Sequence, residues 1–323
     1  MLRVPSSISA QQFQSLKIQD TTFVAYRSDV YPERNEIFFE EHAVVVVLEG
    51  EKKFISPNQD LHVRKGQILF FQRGCYSMNE SIGSDYRSLV FFFHEKLLKE
   101  FVNQNQSLFD KADVENPQPI LALQSSSAFE KFIDSLFPYF NSQTPYLNQF
   151  LRLKFQELLL HLLEIDGSNQ LKTILFNIYK GQKTDLEYLL NNYYLKPLTI
   201  SELAHLSGRS LSAFKREFEA QFHAAPAHWI KQKRLEQAAF LLKNANKNVS
   251  EVSMEIGYES VSHFIKAYKE KYGETPKRNK WLNHIFKNIF QVHLQLRQCT
   301  NLQWPRLLKV SKMPQKGVFF ILK

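Results

Sequence analysis

The sequence predicts an α+β chain of two unlike halves. The N-terminal half reads as a β-sandwich or small barrel followed by helices, and the C-terminal half as an all-α domain with two helix-turn-helix units. Three observations predict this. Between Thr21 and Phe93, short runs of β-branched and aromatic residues alternate with turn signals. From Ser127 onward the apolar spacing changes to the helical period. The stretch Thr199 to Pro276 contains one structural pattern written twice.

The 323 residues suffice for two domains of ordinary size, each able to bury a core. No run of about 18 uncharged apolar residues is present, so no membrane span is expected. The N-terminus lacks the basic segment and apolar stretch of a secretion signal. Cys75 and Cys299 lie far apart and form no CxxC pair, which argues for a reducing cytoplasm and against a disulfide framework or a cysteine-based zinc site. The net charge of +9 is unevenly placed: residues 1–180 carry 18 Lys and Arg against 21 Asp and Glu, residues 181–280 carry 16 against 11, and residues 281–323 carry 7 against none. The basic surplus therefore falls on the repeated pattern and the tail, where a phosphate backbone would need it.

In the N-terminal half the expected strands are Thr22–Tyr26, Ala43–Leu48, Lys53–Ile55, Leu61–Val63, Gln67–Phe71 and Ser88–Phe93, separated by Glu49-Gly50-Glu51, Pro57-Asn58, Gly66 and Arg73-Gly74. Strands at this close spacing predict a sandwich or barrel. The nearly continuous apolar runs Val44–Leu48 and Leu89–Phe93 predict strands buried on both faces. His42, His62 and His94 stand singly with no HxH pair, so no metal site and no cofactor is expected, and they read as surface or satisfied core histidines.

Helices are expected at Glu95–Asn103, Ser127–Phe140 and Asn148–Glu164. In the last of these, Leu151, Phe155, Leu158, Leu159 and Leu162 form an apolar stripe with charges opposite. The stripe packs either on its own barrel or on a second copy of the chain. Polar Asp166–Gln170 and Gly181–Thr184 bracket an expected inter-domain linker. The expected division is thus 1–165, a linker at 166–183, a helical domain at 184–280 and a basic extension at 281–323.

The repeat begins with Ser201-Glu202-Leu203-Ala204 and Gly208, which recur 49 residues later as Ser250-Glu251-Val252-Ser253 and Gly257. Ser210, Phe214, Phe218, Phe222 and Pro226 recur 50 residues later as Ser260, Phe264, Tyr268, Tyr272 and Pro276, so one extra residue sits in the second turn. Thr199 and Asn248 cap the first helices with Glu202 and Glu251 at the reciprocal position. The glycines make the turns, Ser210 and Ser260 cap the second helices, and the aromatics at i, i+4 and i+8 form the buried faces. The outward face of the first unit then presents Ser212, Lys215, Arg216 and Glu219, and that of the second Val261, Ser262, His263, Ile265 and Lys266. Residues so placed near a helix N-terminus can read a major groove. A helix at Ala227–Asn244, with Trp229, Leu235, Ala238, Leu241 and Leu242 as core contacts, joins the units. Groove segments one turn apart are about 34 Å from each other, and a linker that does not match them requires bent DNA.

Arg234-x-x-x-Ala238-x-x-Leu241-Leu242, followed by Ile256-Gly257-Tyr258-Glu259-Ser260, Phe264, Lys269 and Tyr272-Gly273-x-Thr275-Pro276, resembles the signature of the AraC/XylS family of transcriptional regulators. Val47-Leu48-Glu49-Gly50 and the run Gly66–Gly74 resemble the cupin-like β-barrel of such regulators. Together with Leu153–Leu159, they resemble the ExsA-type activators of type III secretion. The resemblance implies a DNA-binding transcriptional activator, not an enzyme, with promoter DNA and RNA polymerase as partners. It places Ser212, Lys215 and Arg216, then Val261, Ser262, His263 and Lys266, at the groove-facing positions. It also implies control through the N-terminal half, by a regulatory protein or, in the alternative, by a small-molecule effector of a metabolic operon, and a helical dimerisation region at Asn148–Glu164. One departure is that Lys277-Arg278-Asn279-Lys280 replaces the aromatic and Arg usual after the Thr-Pro pair.

In the tail, Trp281, Ile285, Phe286, Ile289 and Phe290 would form a basic amphipathic helix, suited to a membrane surface or an added nucleic-acid contact; the favoured reading is an extension loosely packed on the helical domain. Composition argues against two other classes, of which the cupin-type enzyme with an accessory DNA-binding module stays as a distant alternative. A DNA-repair methyltransferase with the same module would need a reactive cysteine and a cysteine zinc cluster, and a cupin-type oxygenase would need clustered histidines.

Overall fold

The computed structural model describes residues 1–277 apart from 8–13, 19–20, 29–34, 57–58, 81–85, 110–116, 143 and 246. The expected extension at 281–323 lies outside the described residues. No helix among the described residues is long and apolar enough to cross a membrane.

The N-terminal half is built from β1 (Leu2–Val4), β2 (Gln14–Ile18), β3 (Thr21–Ser28), β4 (Asn35–Phe39), β5 (His42–Glu49), β6 (Glu51–Ser56), β7 (Gln59–Arg64), β8 (Gln67–Phe71), β9 (Gly74–Glu80), β10 (Tyr86–Phe93) and β11 (Ile120–Gln124). One sheet has the order β1-β4-β9-β6-β7 and the other β11-β8-β5-β10-β3-β2. The pairings are antiparallel except β1 with β4. Side chains alternate across a strand, and the six-stranded sheet uses both faces. Its Val45, Val47, Leu69 and Phe71 meet Ile37, Phe39, Phe54, Tyr76 and Met78 of the five-stranded sheet in one core. The alternate residues Val44, Val46, Ile68, Phe70, Leu89, Phe91 and Phe93 face a layer of helices. This double burial is why β5 and β10 read as continuous apolar runs.

The helical layer comprises α1 (Glu95–Gln104), α2 (Ser127–Asp134), α3 (Leu147–Ile165) and α4 (Gln170–Lys180). The helix expected over Ser127–Phe140 ends at Asp134 and gives way to a 3₁₀ turn at Phe137–Asn141. Pro138 has no N–H to donate and would strike the carbonyl one turn back. The stripe of α3 is resolved in favour of the chain's own core: Leu151, Phe155, Leu158, Leu159 and Leu162 all pack against the sheet and its neighbouring helices. A seam with a second copy cannot use that stripe, because it is already covered.

The linker expected at 166–183 requires correction. Its centre is α4, whose Leu171, Ile174 and Leu175 are buried in the same core. The polar Asp166–Gln170 segment hides the helix start because the cap acts from a distance. Buried Asp166 accepts from Leu171 N at 2.7 Å and from Ser168 Oγ at 2.6 Å, so the carboxylate that marks a loop in sequence here satisfies a helix N-terminus.

The C-terminal half is α-helical: α5 (Leu186–Tyr193), α6 (Ile200–Leu206), α7 (Leu211–Phe222), α8 (Pro226–Asn244), α9 (Val249–Glu255) and α10 (Val261–Tyr272). It abuts the outer face of the five-stranded sheet, where Phe38 and Cys75 share a core with Leu189, Leu198, Leu206 and Phe214.

Phe155→Ala should cost about 3–5 kcal/mol of folding stability, measured by urea denaturation. Leu153→Ala, at a position 63% exposed on the opposite face, should stay within about 0.5 kcal/mol of wild type. Equal losses would contradict the assignment of the stripe to the chain's own core.

Candidate nucleic-acid interface

Each helix-turn-helix unit is assembled by local hydrogen bonds. Glu202 N donates to Thr199 Oγ1 at 3.1 Å while Thr199 N donates to Glu202 Oε2 at 2.6 Å. Asn248 and Glu251 repeat this exchange at 2.9 and 2.7 Å, so α6 and α9 both start with a reciprocal capping box. Ser210 Oγ accepts from Ala213 N and Ser260 Oγ from His263 N, at the starts of α7 and α10. Phe214 and Phe218 are fully buried, as are Phe264 and Tyr268, whereas Phe222 and Tyr272 are partly buried. With these faces turned inward, the helix period turns the remaining faces outward.

Ser212, Lys215 and Arg216 are exposed on α7, and Ser262, His263 and Lys266 on α10, while Val261 is half-buried. The structure thus brings Ser212, Lys215 and Arg216 onto one face of α7 and Ser262 and Lys266 onto the equivalent face of α10, with His263 at its edge and Val261 turned partly inward. Neighbouring cations are engaged within the protein. Lys183 and Arg209 both donate to Glu217, at 2.8 and 2.7 Å; these two bonds draw its carboxyl down to about 2. Lys231 pairs with Glu270, Lys247 with Glu255, and Lys271 with Glu236. Among the described residues, Lys215, Arg216 and Lys266 form no ion pair, which leaves them for an external anion. Lys269 is also exposed, three residues after Lys266; the i+3 spacing puts it near the same face, a signal the groove-facing set did not include.

The N-terminal half meets the first unit through polar contacts around the shared core. Arg3 Nε donates to Glu202 Oε1 and its Nη2 to Pro197 O, both at 2.8 Å, and Lys196 Nζ lies 2.6 Å from Glu36 Oε1. Arg73 Nη1 donates to Glu95 Oε2 at 2.7 Å and stands 3.3 Å from His205 Nε2 on α6. Of the three lone histidines, His62 is exposed and lies 3.3 Å from Glu51, and His94 caps α1. His42 is 3% exposed, with Nδ1 accepting from Arg73 N at 3.3 Å. Burial, reinforced by the Arg73 charge, pushes its pKa down to about 3. Among the described residues no group of three His, Cys, Asp or Glu side chains could hold a metal ion.

Two capped helix pairs on one linking helix, each with an outward cationic face and attached to a sheet-rich half, define a DNA-binding transcriptional regulator. Residues 42–174 match the family described as ExsA N-terminal regulatory domain, and residues 203–280 match a helix-turn-helix domain. The chain thus joins an ExsA-type N-terminal regulatory domain to an AraC-type helix-turn-helix domain. It is similar to the HTH-type transcriptional regulator ExsA of Pseudomonas aeruginosa, 26% identical over 242 residues that cover 74% of this chain and 86% of that protein. The thermoregulatory protein LcrF of Yersinia pestis is 24% identical over 240 residues, 74% of this chain and 88% of its own length. A structure of ToxT from Vibrio cholerae aligns over 81% of this chain and 98% of that one, with 14% identity and a TM-score of 0.40.

The buried His42 makes stability depend on pH. Its folded pKa of about 3 lies below the unfolded value of about 6.5. The unfolded chain therefore gains a proton below about pH 6.5 that the folded chain refuses. Stability from this group is present above that pH and is lost as pH falls, by at most about 1.4 kcal/mol per unit. Between about pH 7 and about pH 5, urea denaturation should show wild type losing about 2 kcal/mol more than His42→Gln. Parallel losses in the two proteins would remove His42 as the cause.

Proposed function

We propose that this chain is a cytoplasmic promoter-binding activator whose α7 and α10 enter successive major-groove segments on one face of double-stranded DNA. One observation carries the reading: Lys215 and Arg216 on α7 and Lys266 on α10 are exposed and form no ion pair among the described residues, while nearby cations are engaged by Glu217, Glu236, Glu255 and Glu270. Ser212, Lys215 and Arg216 read the first segment, with the two cations reaching guanine or phosphate. Val261, Ser262, His263 and Lys266 read the second, where Val261 offers apolar contact to a thymine methyl and Lys269 adds a phosphate contact. Residues 184–277 do the reading and residues 1–180 regulate it.

The target genes are those of type III secretion, transcribed with RNA polymerase. Supporting this is the similarity to ExsA and to a Yersinia enterocolitica protein named virulence regulon transcriptional activator VirF, 23% identical over 240 residues, 74% of this chain and 88% of that protein. The effector at the regulatory half is a protein. The groove of about 720 Å³ lined by Leu108, Leu153, Leu160 and Leu163 is open rather than enclosed, which suits a protein surface better than a small molecule. Homodimerisation uses the same outward face of α3, where Phe150, Leu153 and Leu160 are exposed, so the protein effector and a second copy compete for it.

Arg216→Ala and Lys266→Ala should each weaken promoter binding by about 1–3 kcal/mol if each makes a base contact, read by fluorescence anisotropy, with thermal unfolding unchanged. Footprinting upstream of secretion operons should show protection over two adjacent groove segments. No protected site there would remove the type III secretion assignment, and unaltered affinity in both variants would remove the groove-facing one.

A further inference from the structure

The two helix-turn-helix units are joined by α8, and a single side chain on that helix also joins them across the gap. Arg234 Nε donates to Tyr194 O at 2.6 Å, Nη1 donates to Gly257 O at 3.0 Å, and Nη2 donates to Lys196 O. Tyr194 and Lys196 follow α5 and lead into the Thr199 cap of the first unit. Gly257 is in the turn between α9 and α10 of the second. The planar guanidinium fork fixes directions as well as distances, so carbonyls from both units are held in one geometry. The approach is close: a Cβ on Gly257 would stand 2.2 Å from Leu195 O and 3.2 Å from Arg234 Cζ, and the backbone there has φ +80°. At the equivalent Gly208 the nearest atom would be Gln182 O at 3.3 Å. The second turn thus rests on the segment leading into the first unit, and Leu195 packs into the second unit's core.

We propose that Arg234 is a positioning residue that sets the pose of α10 relative to α7 and thereby the spacing between the two DNA segments that the chain accepts. This rests on the two-reader reading above. One base pair is about a tenth of a helical turn, roughly 3.4 Å along the axis with a matching rotation. A protein whose two readers are locked rejects a one-base-pair change; a protein whose seam has loosened accepts it at the expense of its best site. The lock is the fork itself, three N–H groups on three carbonyls.

The test uses the full chain and a duplex selected by wild type from a random library, together with three derivatives: one base pair inserted between the two segments, one removed, and one segment scrambled. Arg234→Met removes the fork, and Arg234→Lys keeps the charge but cannot span three carbonyls in fixed directions. Both should bind the selected duplex about tenfold more weakly and lose most of wild type's discrimination against the inserted and shortened duplexes, while binding the scrambled duplex as wild type does. An equal drop on all four duplexes, retention of the wild-type spacing preference, or loss of folding in both variants would overturn the positioning role. Arg216→Ala and Lys266→Ala run beside them: if neither weakens binding to the selected duplex, the two-reader reading fails, whatever the Arg234 variants do.

Discussion

Helix α8 belongs to two hydrophobic cores, and the arrangement of the DNA-binding half follows from that constraint. Its first turns put Trp229 and Ile230 among Phe214, Phe218 and Phe222. Its later turns put Leu235, Ala238, Leu241 and Leu242 among Val252, Ile256, Phe264 and Tyr268. A continuous helix of 19 residues is stiff because each interior peptide is hydrogen-bonded to the turn before it. A large rotation of either unit would break that ladder or expose its aromatic face to water, at about 25 cal/mol for each Å² of apolar surface, which leaves the finer pose of the second unit to the Arg234 fork. The small Ala238 lets the second unit approach, and the close contact at Gly257 completes the approach from the other side.

The regulatory half is attached to this assembly asymmetrically. Phe38 and Cys75 on the outer face of the five-stranded sheet are buried against the first unit, and Arg3, Glu36 and Arg73 reach Glu202, Lys196 and His205. The ion pairs are partly exposed, so each contributes little by itself; burial of the two apolar side chains is the firmer attachment. Glu202 is also the capping-box carboxylate of α6, with Oε2 on the Thr199 amide and Oε1 on Arg3. The start of the first unit is therefore in direct contact with the first residues of the chain.

What was legible in the sequence was whatever is decided by near neighbours. Thr199 with Glu202, Asn248 with Glu251, and the aromatics four residues apart act within one or two helical turns, so the repeat, its caps and its outward faces could be read directly. β5 and β10 were legible because burial on both faces leaves an unbroken apolar run. β4 and β9 carry Asn35, Glu36, Ser77 and Asn79 among their apolar residues and gave no such signal. The α3 stripe was visible, but periodicity does not say what covers it; the sheet does. Asp166 reads as a loop residue until its carboxylate is seen on the Leu171 amide. Arg234 and Gly257 stood in the sequence as parts of a signature, but their partners Tyr194 and Leu195 lie 40 and 62 residues away, and no local pattern connects them.

The asymmetry of attachment and the asymmetry of the readers reinforce each other. Under the docking proposed above, α7 brings two adjacent cations, Lys215 and Arg216, whereas α10 brings only Lys266 at the position equivalent to Arg216, with Lys269 about a turn further along. Charge-assisted contact is therefore strongest at the unit that touches the regulatory half. A change in that half acts first on Glu202 and His205 of α6, the helix against which α7 is packed. Among the described residues it reaches α10 through α8, through Leu195 in the second unit's core and through the carbonyls of Tyr194, Lys196 and Gly257. Under the two proposals above, a change in the regulatory half shifts the first unit first, while the spacing between units is held by the Arg234 fork.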